Sequence, residues 1–376
     1  MSDLSRHETS HVGNLRTYSV RASDAPDDPD WDTFVEEHPA GHHAQTSVWG
    51  RARASIGWQL VRVIISEEGQ IVAGAQMDMR RMPVGGNMGF VCRGPVVHEG
   101  NPELTSLVFD EMMAMGRRHG VQYLVVQPPP GCDWMREDLA QRGFRFGAFD
   151  IDETATVLID LRPEIEELLA KMQRKRRQTI GSAERRGVTV RRGSDADLPI
   201  FNRLKDAHSA RLGYPRRQEG YYTELWRALA PRGHIELFIA EYEGEPVSAL
   251  LAIPFGDTFR HMERPWSGEH GDLGTNEAVE WAAIQWARAA GYRFADLGGI
   301  DPAVAEAMLA GRHDAVEPYT AAFFKLKWGG QIFVDPPSFD YVYNPVLRVA
   351  YRSIPNRLMR SARMKRLLFK FREAGS

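Results

Sequence analysis

The chain has 376 residues, of which 43% are hydrophobic and 26% charged, and its formal net charge is −3. That length exceeds one ordinary core and predicts two or three globular domains, while no apolar run approaches the roughly 20 residues of a membrane-spanning helix. Cys92 and Cys132 are too few for a disulfide framework or a thiolate zinc site, and the rings of adjacent His42 and His43 cannot easily share an ion, so no metal is expected.

The polar N-terminus, Met1 to His7, lacks the apolar stretch of a signal peptide, and the expected location is the cytoplasm. Residues 24–37 are acidic and Pro-rich. Helix 49–57 is expected to stop at Gly57 and lead into strand 60–65, a turn at Glu67, Glu68, Gly69 and Gln70, and strand 71–79. Residues 87–97 are extended but interrupted by Arg93, Gly94 and Pro95. Helix 104–119 stops at Gly120, strand 121–127 ends at three prolines, and helix 135–142 with a closing strand at 154–161 completes a unit.

The same order then recurs. A long helix over 165–186 ends at Gly187, a second follows at 198–212, and strands 234–242 and 247–255 flank a turn at Glu243, Gly244 and Glu245. Strand 257–263, helix 276–290 and strand 292–297 follow. An α/β unit repeated in tandem is implied. The late run Phe323 to Trp328 reads as a strand ahead of Gly329 and Gly330. Alternation puts Lys325 and Lys327 on one face, and Phe324 and Leu326 on the other. A lysine fixed there suits a developing negative charge; an edge strand guarded by lysines is the alternative. From 343 onward the pattern gives two amphipathic helices with basic outer faces, interrupted at Pro355.

Charge is unevenly spread. Nine Lys or Arg fall between positions 171 and 192 against Glu184 alone, and nine more from Arg348 onward against Glu373. Basic clusters inside a near-neutral chain point to a polyanionic partner, nucleic acid or an anionic membrane surface.

Taken in order, Gln45-Thr46 with Trp49-Gly50, Arg93-Gly94-Pro95, the 175–187 helix, Arg211, Tyr221-Tyr222, Asp296-Leu297-Gly298-Gly299 and Phe324-Lys325 with Trp328-Gly329-Gly330 resemble the FemABX family of aminoacyl-tRNA-dependent aminoacyltransferases. The resemblance covers roughly residues 40–335. It implies an α/β fold of two tandem GNAT-like domains, with mixed, mostly antiparallel sheets flanked by helices. The first would span 14–160, completed by a C-terminal strand and basic helices in 331–376, and the second 161–330. It also implies transfer of an amino acid from its tRNA ester to an acceptor amine, with aminoacyl-tRNA as co-substrate and no other cofactor.

In that reading Lys325 contacts the tRNA end or stabilises the oxyanion, with Phe324 beside it. Arg53, Trp49, Arg211 and Tyr222 hold the acceptor. Lys175, Arg176, Arg177, Lys327, Arg363, Lys365 and Arg366 hold the tRNA. The tail also suits peripheral contact with a membrane carrying a lipid-linked precursor. No Ser or Cys nucleophile is needed, because the ester is already activated.

This chain departs from the family pattern at residues 261–267, where members acting on a muramyl peptide show two alternating tyrosines and this sequence has none. The departure tilts the acceptor from a peptidoglycan precursor toward a small specialised-metabolite amine. His98 replaces an acid of some members, and no general base is assigned. Two other functions stay open: an acyl-CoA-dependent N-acetyltransferase, and a non-catalytic RNA- or membrane-binding module. The Gly268–Thr275 segment carries Glu269 and Asp272, which would repel the pyrophosphate of CoA.

Overall fold

Glu68 and Gly69 both take positive φ (50° and 82°), as do Glu243 and Gly244 (51° and 81°). Two successive positive φ angles are the type I′ pattern that suits the twist of paired strands, so each pair closes a hairpin, one in each repeat.

The computed structural model describes residues 9–12, 17–82, 85–148, 150–213, 216–218, 220–318 and 320–353. In chain order come β1 (Thr9–Val12), β2 (Thr17–Ser23), α1 (Pro29–Glu37), α2 (Ser47–Ala54), β3 (Gln59–Glu67), β4 (Gln70–Arg81), β5 (Asn87–Cys92), β6 (Val96–Val97), α3 (Pro102–Arg118), β7 (Val121–Gln127), α4 (Met135–Gln141) and β8 (Arg145–Phe146). Next are β9 (Ala155–Asp160), α5 (Ile165–Lys171), α6 (Arg174–Arg185), β10 (Val188–Arg192), α7 (Leu198–Leu212), α8 (Tyr221–Leu229), β11 (Glu236–Tyr242), β12 (Glu245–Phe255) and β13 (Thr258–Glu263). Then follow α9 (Thr275–Ala289), β14 (Phe294–Gly299), α10 (Pro302–Leu309), α11 (Ala321–Leu326), β15 (Gln331–Val334), β16 (Phe339–Val342) and α12 (Pro345–Arg352).

Two compact units result. One holds the described residues up to Asp152 and from Asp335 onward; the other is Glu153–Val334. The first sheet runs β1-β2-β3-β4-β5-β7-β16-β8, with β6 on β4, and the second runs β10-β11-β12-β13-β14-β9-β15. Each contains a run of four antiparallel strands (β2-β3-β4-β5, β10-β11-β12-β13), the last of which pairs parallel with the next (β5/β7, β13/β14), then an antiparallel neighbour (β16, β9). The tandem α/β duplication is therefore present over seven strands of each sheet, with β1 and β6 added in the first.

The unit boundaries differ from those expected. The strand read as closing the first unit, β9, pairs instead with β14 and β15 in the second sheet, so the junctions fall at 152/153 and 334/335 rather than 160/161 and 330/331. The helix expected over 165–186 is two helices, because Met172 and Gln173 are extended (ψ 153° and 141°). Gln173 N–H bonds the Lys327 carbonyl there, and Gly329 lies so close to Lys171 that a Cβ would meet its backbone at 2.7 Å. The acidic 24–37 segment carries α1, capped by Asp28 with Pro29 in its first turn and Trp31 and Val35 fully buried.

Unit 1 is closed by the chain's return. Asp340 of β16 is buried and accepts from Tyr123 Oη, from Tyr351 Oη at 2.6 Å and from the Ala148 amide at 2.7 Å. Burial raises its pKa to about 6 despite those donors. The folded carboxyl thus binds its proton more tightly than the unfolded one (3.8), so its contribution is greatest at low pH and is lost as pH rises from 3.8 through about 6. The excess of unfolding free energy over that of Asp340→Asn, followed by denaturant titration, should fall across that window; the comparison isolates Asp340 from His38, whose pKa burial lowers to about 4 and which acts with the opposite sign there. Asp78, raised to about 6 by burial against the pull of Arg53, supplies the same sign as Asp340.

The first expected tail helix corresponds to α12, which exposes Val346, Leu347 and Val349; the second, with Arg363, Lys365 and Arg366, lies outside the described residues. Among the described residues no helix is long and apolar enough to cross a membrane.

Candidate active site

The parallel pair of unit 2 is joined only at its start. Thr258, Phe259 and Arg260 face Phe294, Ala295 and Asp296, and beyond that register β13 continues to Glu263 and β14 to Gly299 without pairing to each other. An Arg260–Asp296 ion pair of 3.0 Å stands where they part. A cleft of about 360 Å³ opens there, lined by His261, Glu263, Arg264, Gly298, Phe324 and Lys325 among others. In unit 1 the counterpart strands β5 and β7 stay paired to Cys92 opposite Gln127. The duplicated fold thus carries this opening in one copy.

A β-bulge shapes the rim. Ala252 pairs with His261 but Leu251 pairs with Glu263, so Met262 is the extra residue and Glu263 turns to the opposite face from His261. Glu263 accepts from Tyr222 Oη at 2.8 Å and Lys205 Nζ at 2.6 Å. His261 turns toward Glu280 of α9, with Nδ1 3.0 Å from Oε1.

Lys325 reaches the cleft from a helix, not from a strand. Thr320 caps α11 by accepting from the Phe323 amide, and the preceding Ala321-Ala322 favours helix over the alternation that predicted a strand at 323–328. Two residues on a helix differ by about 200°, so Lys325 and Lys327 do not share a face. Lys327 caps the helix with Nζ 3.1 Å from the Phe323 ring centroid.

Lys325 Nζ donates to Gly299 O at 2.7 Å. Burial lowers its pKa; Glu153 opposes that shift and Arg264 reinforces it. Two glycines make the space: a Cβ on Gly298 (φ 81°) would sit 3.2 Å from Lys325 Nζ, and one on Gly299 would meet Glu153 Cδ at 2.3 Å.

Phe324 carries two guanidinium groups, Arg264 at 3.8 Å and Arg176 at 4.2 Å from the ring centroid. Glu277 and Glu280, one turn apart on α9, hold them: Arg176 pairs with Glu277, and Arg264 with Glu280 at 2.7 Å. Glu280 is fully buried; burial pushes its carboxyl up, but His261 and Arg264 outweigh that and hold it at about 2. It is ionised at neutral pH.

The other expected site residues are distributed less simply. Arg176 is buried against Phe324 and Trp328, so it is not available to a tRNA backbone. Arg177 donates to the carbonyls of Leu169 and Ala170 and closes the end of α5, whereas Lys175 is exposed. Arg211 stacks on Trp266 at 4.5 Å and donates to its carbonyl at 3.1 Å, bracing a cleft residue. Tyr222 is buried and positions Glu263. Trp49 and Arg53 belong to unit 1, where Trp49 lies edge-on to His43, and Arg53 stacks on Trp58 at 3.7 Å and lies 3.4 Å from Asp78.

Two motifs of the sequence turn out to be packing devices. Gln45 Nε2 donates to the carbonyls of Cys92 and Gln76, and Gly94 sits so close to Gln45 that a Cβ would meet its amide at 2.8 Å. Arg93, 1% exposed in its side chain, lies 2.9 Å from both Asp152 and Asp335.

Sequence reasoning passed over His261, Arg264, Glu280 and Glu153. A signal existed in Glu280, a carboxylate between Val279 and Trp281 on the apolar face of a helix. It also passed over His7-Glu8-Thr9-Ser10-His11, which has zinc-protease helix spacing. Thr9–Val12 is a strand, and among the described residues no group of three or more His, Cys, Asp or Glu is placed to hold a metal.

The CoA alternative meets an obstacle at the start of α9. Helix α6 covers it: a Cβ on Gly274 would meet Thr179 Cγ2 at 2.4 Å, and Arg186 pairs with Asp272 at 2.6 Å. A pyrophosphate would need those backbone N–H groups open.

A model described as the FemAB family matches residues 27–244. A lipid II:glycine glycyltransferase of Staphylococcus saprophyticus is 25% identical over 227 residues, 57% of this chain and 55% of its own. The chain spans about half the length of the curated relatives it matches. A crystal structure of FemX aligns with a TM-score of 0.75 at 20% identity, covering 85% of this chain and 97% of that one. A tandem GNAT protein from the clavulanic acid biosynthesis pathway aligns at 0.53 and 12% identity, covering 87% and 99%. The expected tandem GNAT-like architecture is thereby established.

Proposed function

The chain belongs to the FemAB family, and from that premise we propose that it is an acyltransferase moving an amino acid from aminoacyl-tRNA to an acceptor amine, forming an amide bond. The observation that carries this reading is Lys325 Nζ, fixed 2.7 Å from Gly299 O in the cleft where β13 and β14 part. An ammonium has three donors, and the Gly299 contact uses one. The others suit the oxyanion that forms when the acceptor nitrogen attacks the ester carbonyl. The N–C bond forms, the ester C–O bond breaks, the attacking nitrogen loses a proton and the ribose oxygen gains one.

The activity named for the staphylococcal relative, on lipid II, favours a cell-wall precursor over the small amine that the missing tyrosines suggest. The proposed place of action is the cytoplasm, at a membrane when the acceptor is lipid-linked. The test incubates the protein with a radiolabelled, mixed aminoacyl-tRNA pool and lipid II. Ribonuclease-sensitive transfer of label to lipid II is expected; transfer from acetyl-CoA that ignores ribonuclease would overturn the reading.

For the tRNA backbone the supporting patch is Lys175 with Lys327, which act on each other electrostatically. Affinity for aminoacyl-tRNA should fall steeply with salt. Lys175→Gln with Lys327→Gln should reduce the slope of log K against log[salt] by about 1.4 to 1.8. Filter binding across a salt series measures it, and a flat response in the unsubstituted protein excludes the patch.

A further inference from the structure

We infer that His261 is the proton acceptor for the attacking amine, held in its working tautomer by Glu280; this deepens the aminoacyl-transfer reading and rests on it. His261 lines the cleft and is 9% exposed. Its Nδ1 lies 3.0 Å from the fully buried Glu280 carboxylate, within charge-pairing range though short of hydrogen-bond geometry, and its Nε2 is itself buried and has no hydrogen-bond partner among the described residues. A carboxylate beside Nδ1 favours the proton there and leaves the lone pair on Nε2.

The second cleft histidine has the opposite arrangement. His208 Nδ1 is 3.1 Å from Arg211 Nη2. A guanidinium only donates, so Nδ1 must accept and the neutral ring carries its proton on Nε2. Burial, then Arg211, lowers the pKa of His208. It stays neutral with no free lone pair. His261 is therefore the cleft histidine built to take a proton.

The charged groups around it come from every neighbouring element: Glu280 on α9, Arg264 after β13, Lys325 on α11, Glu153 before β9, Asp296 on β14 and Glu263 beyond the bulge. Glu280 serves two of them at once, since Arg264 shares its carboxylate and stacks on Phe324, the residue before Lys325. One buried carboxylate so positions the base directly and the cation through Phe324.

The step balances. As the amine nitrogen bonds the ester carbon, Nε2 takes the proton that nitrogen sheds. When the C–O bond breaks, the imidazolium returns it to the departing ribose oxygen, and no other reactant is consumed. General-base assistance of this kind contributes roughly 100- to 10,000-fold.

The test uses the full chain in the aminoacyl-tRNA assay, with an acceptor amine already unprotonated at neutral pH so that its own titration does not mask the enzyme's. His261→Gln should lower kcat about 100-fold or more with KM for aminoacyl-tRNA unchanged. It should erase the acid limb of the pH–rate profile and regain rate with added imidazole. Glu280→Gln, as a positioning change, should lower kcat and displace that limb without erasing it. Unaltered kcat and an intact limb in His261→Gln would overturn the inference while leaving aminoacyl transfer standing. Absence of transfer by the unsubstituted protein would instead remove the underlying reading. If His261→Gln loses its unfolding transition, the unsubstituted protein decides: with this acceptor its profile must show an acid limb, and a flat profile overturns the assignment.

Discussion

Lys325→Ala should lower kcat for aminoacyl transfer by about 100- to 1,000-fold, the loss seen when one preorganised oxyanion donor is removed. The physical case is local. Nζ is fixed by Gly299 O in the space that Gly298 leaves, on a half-buried residue, so it stays in place between ground and transition states. A donor already oriented stabilises charge without reorganising as that charge appears. Lys325→Arg should not restore the rate, because the space left by Gly298 admits a compact ammonium and not a planar fork. Single-turnover measurement with prebound aminoacyl-tRNA separates this effect from binding. A near-normal rate in Lys325→Ala, with the unfolding transition intact, would remove Lys325 from the chemistry.

Arg93→Ala should destabilise unit 1 by about 3–5 kcal/mol, the usual cost of removing one partner from a buried ion pair. Its guanidinium has 1% side-chain exposure, and the carboxylates of Asp152 and Asp335 converge on it at 2.9 Å each. Removing the cation leaves two acids facing each other at low dielectric. Adding Asp335→Asn to Arg93→Ala should recover part of the loss, since it removes one of the opposed charges. Hydrogen exchange gives the test its resolution: amides of β7 and β16 should lose protection while those of β11 and β12 keep theirs. Equal loss in both units, or none, contradicts this account.

What the sequence revealed follows a physical division. Features written in local chemistry were readable: the Glu-Gly hairpin turns, the glycine stops and the apolar strands that order each repeat. Features set by distant contacts were not. The strand at 155–160 carries no mark of which sheet it joins, because its partners β14 and β15 lie more than a hundred residues away. The break at Met172-Gln173 exists because Lys327 O and Gly329 pack into it. The Phe323–Trp328 run misled through its alternation, although Thr320 ahead of two alanines was a helix-start signal in plain view. Of the candidate residues, the motif singles out Lys325 and Phe324, and both lie at the cleft. Arg176 was not legible, since a basic run gives no sign of which member turns inward toward Glu277.

The position of β16 also governs how this protein comes off the ribosome. Synthesis is vectorial and domains fold as they emerge, yet β16 lies between β7 and β8, two strands made some two hundred residues before it. The Glu153–Val334 segment is contiguous and can fold while the chain still grows. The N-terminal part must wait with the side of β7 open until Phe339–Val342 arrives to fill it. A released chain truncated before Phe339 would carry the second unit attached to a first unit with an unpaired strand edge, the form in which chaperone capture or aggregation would find it.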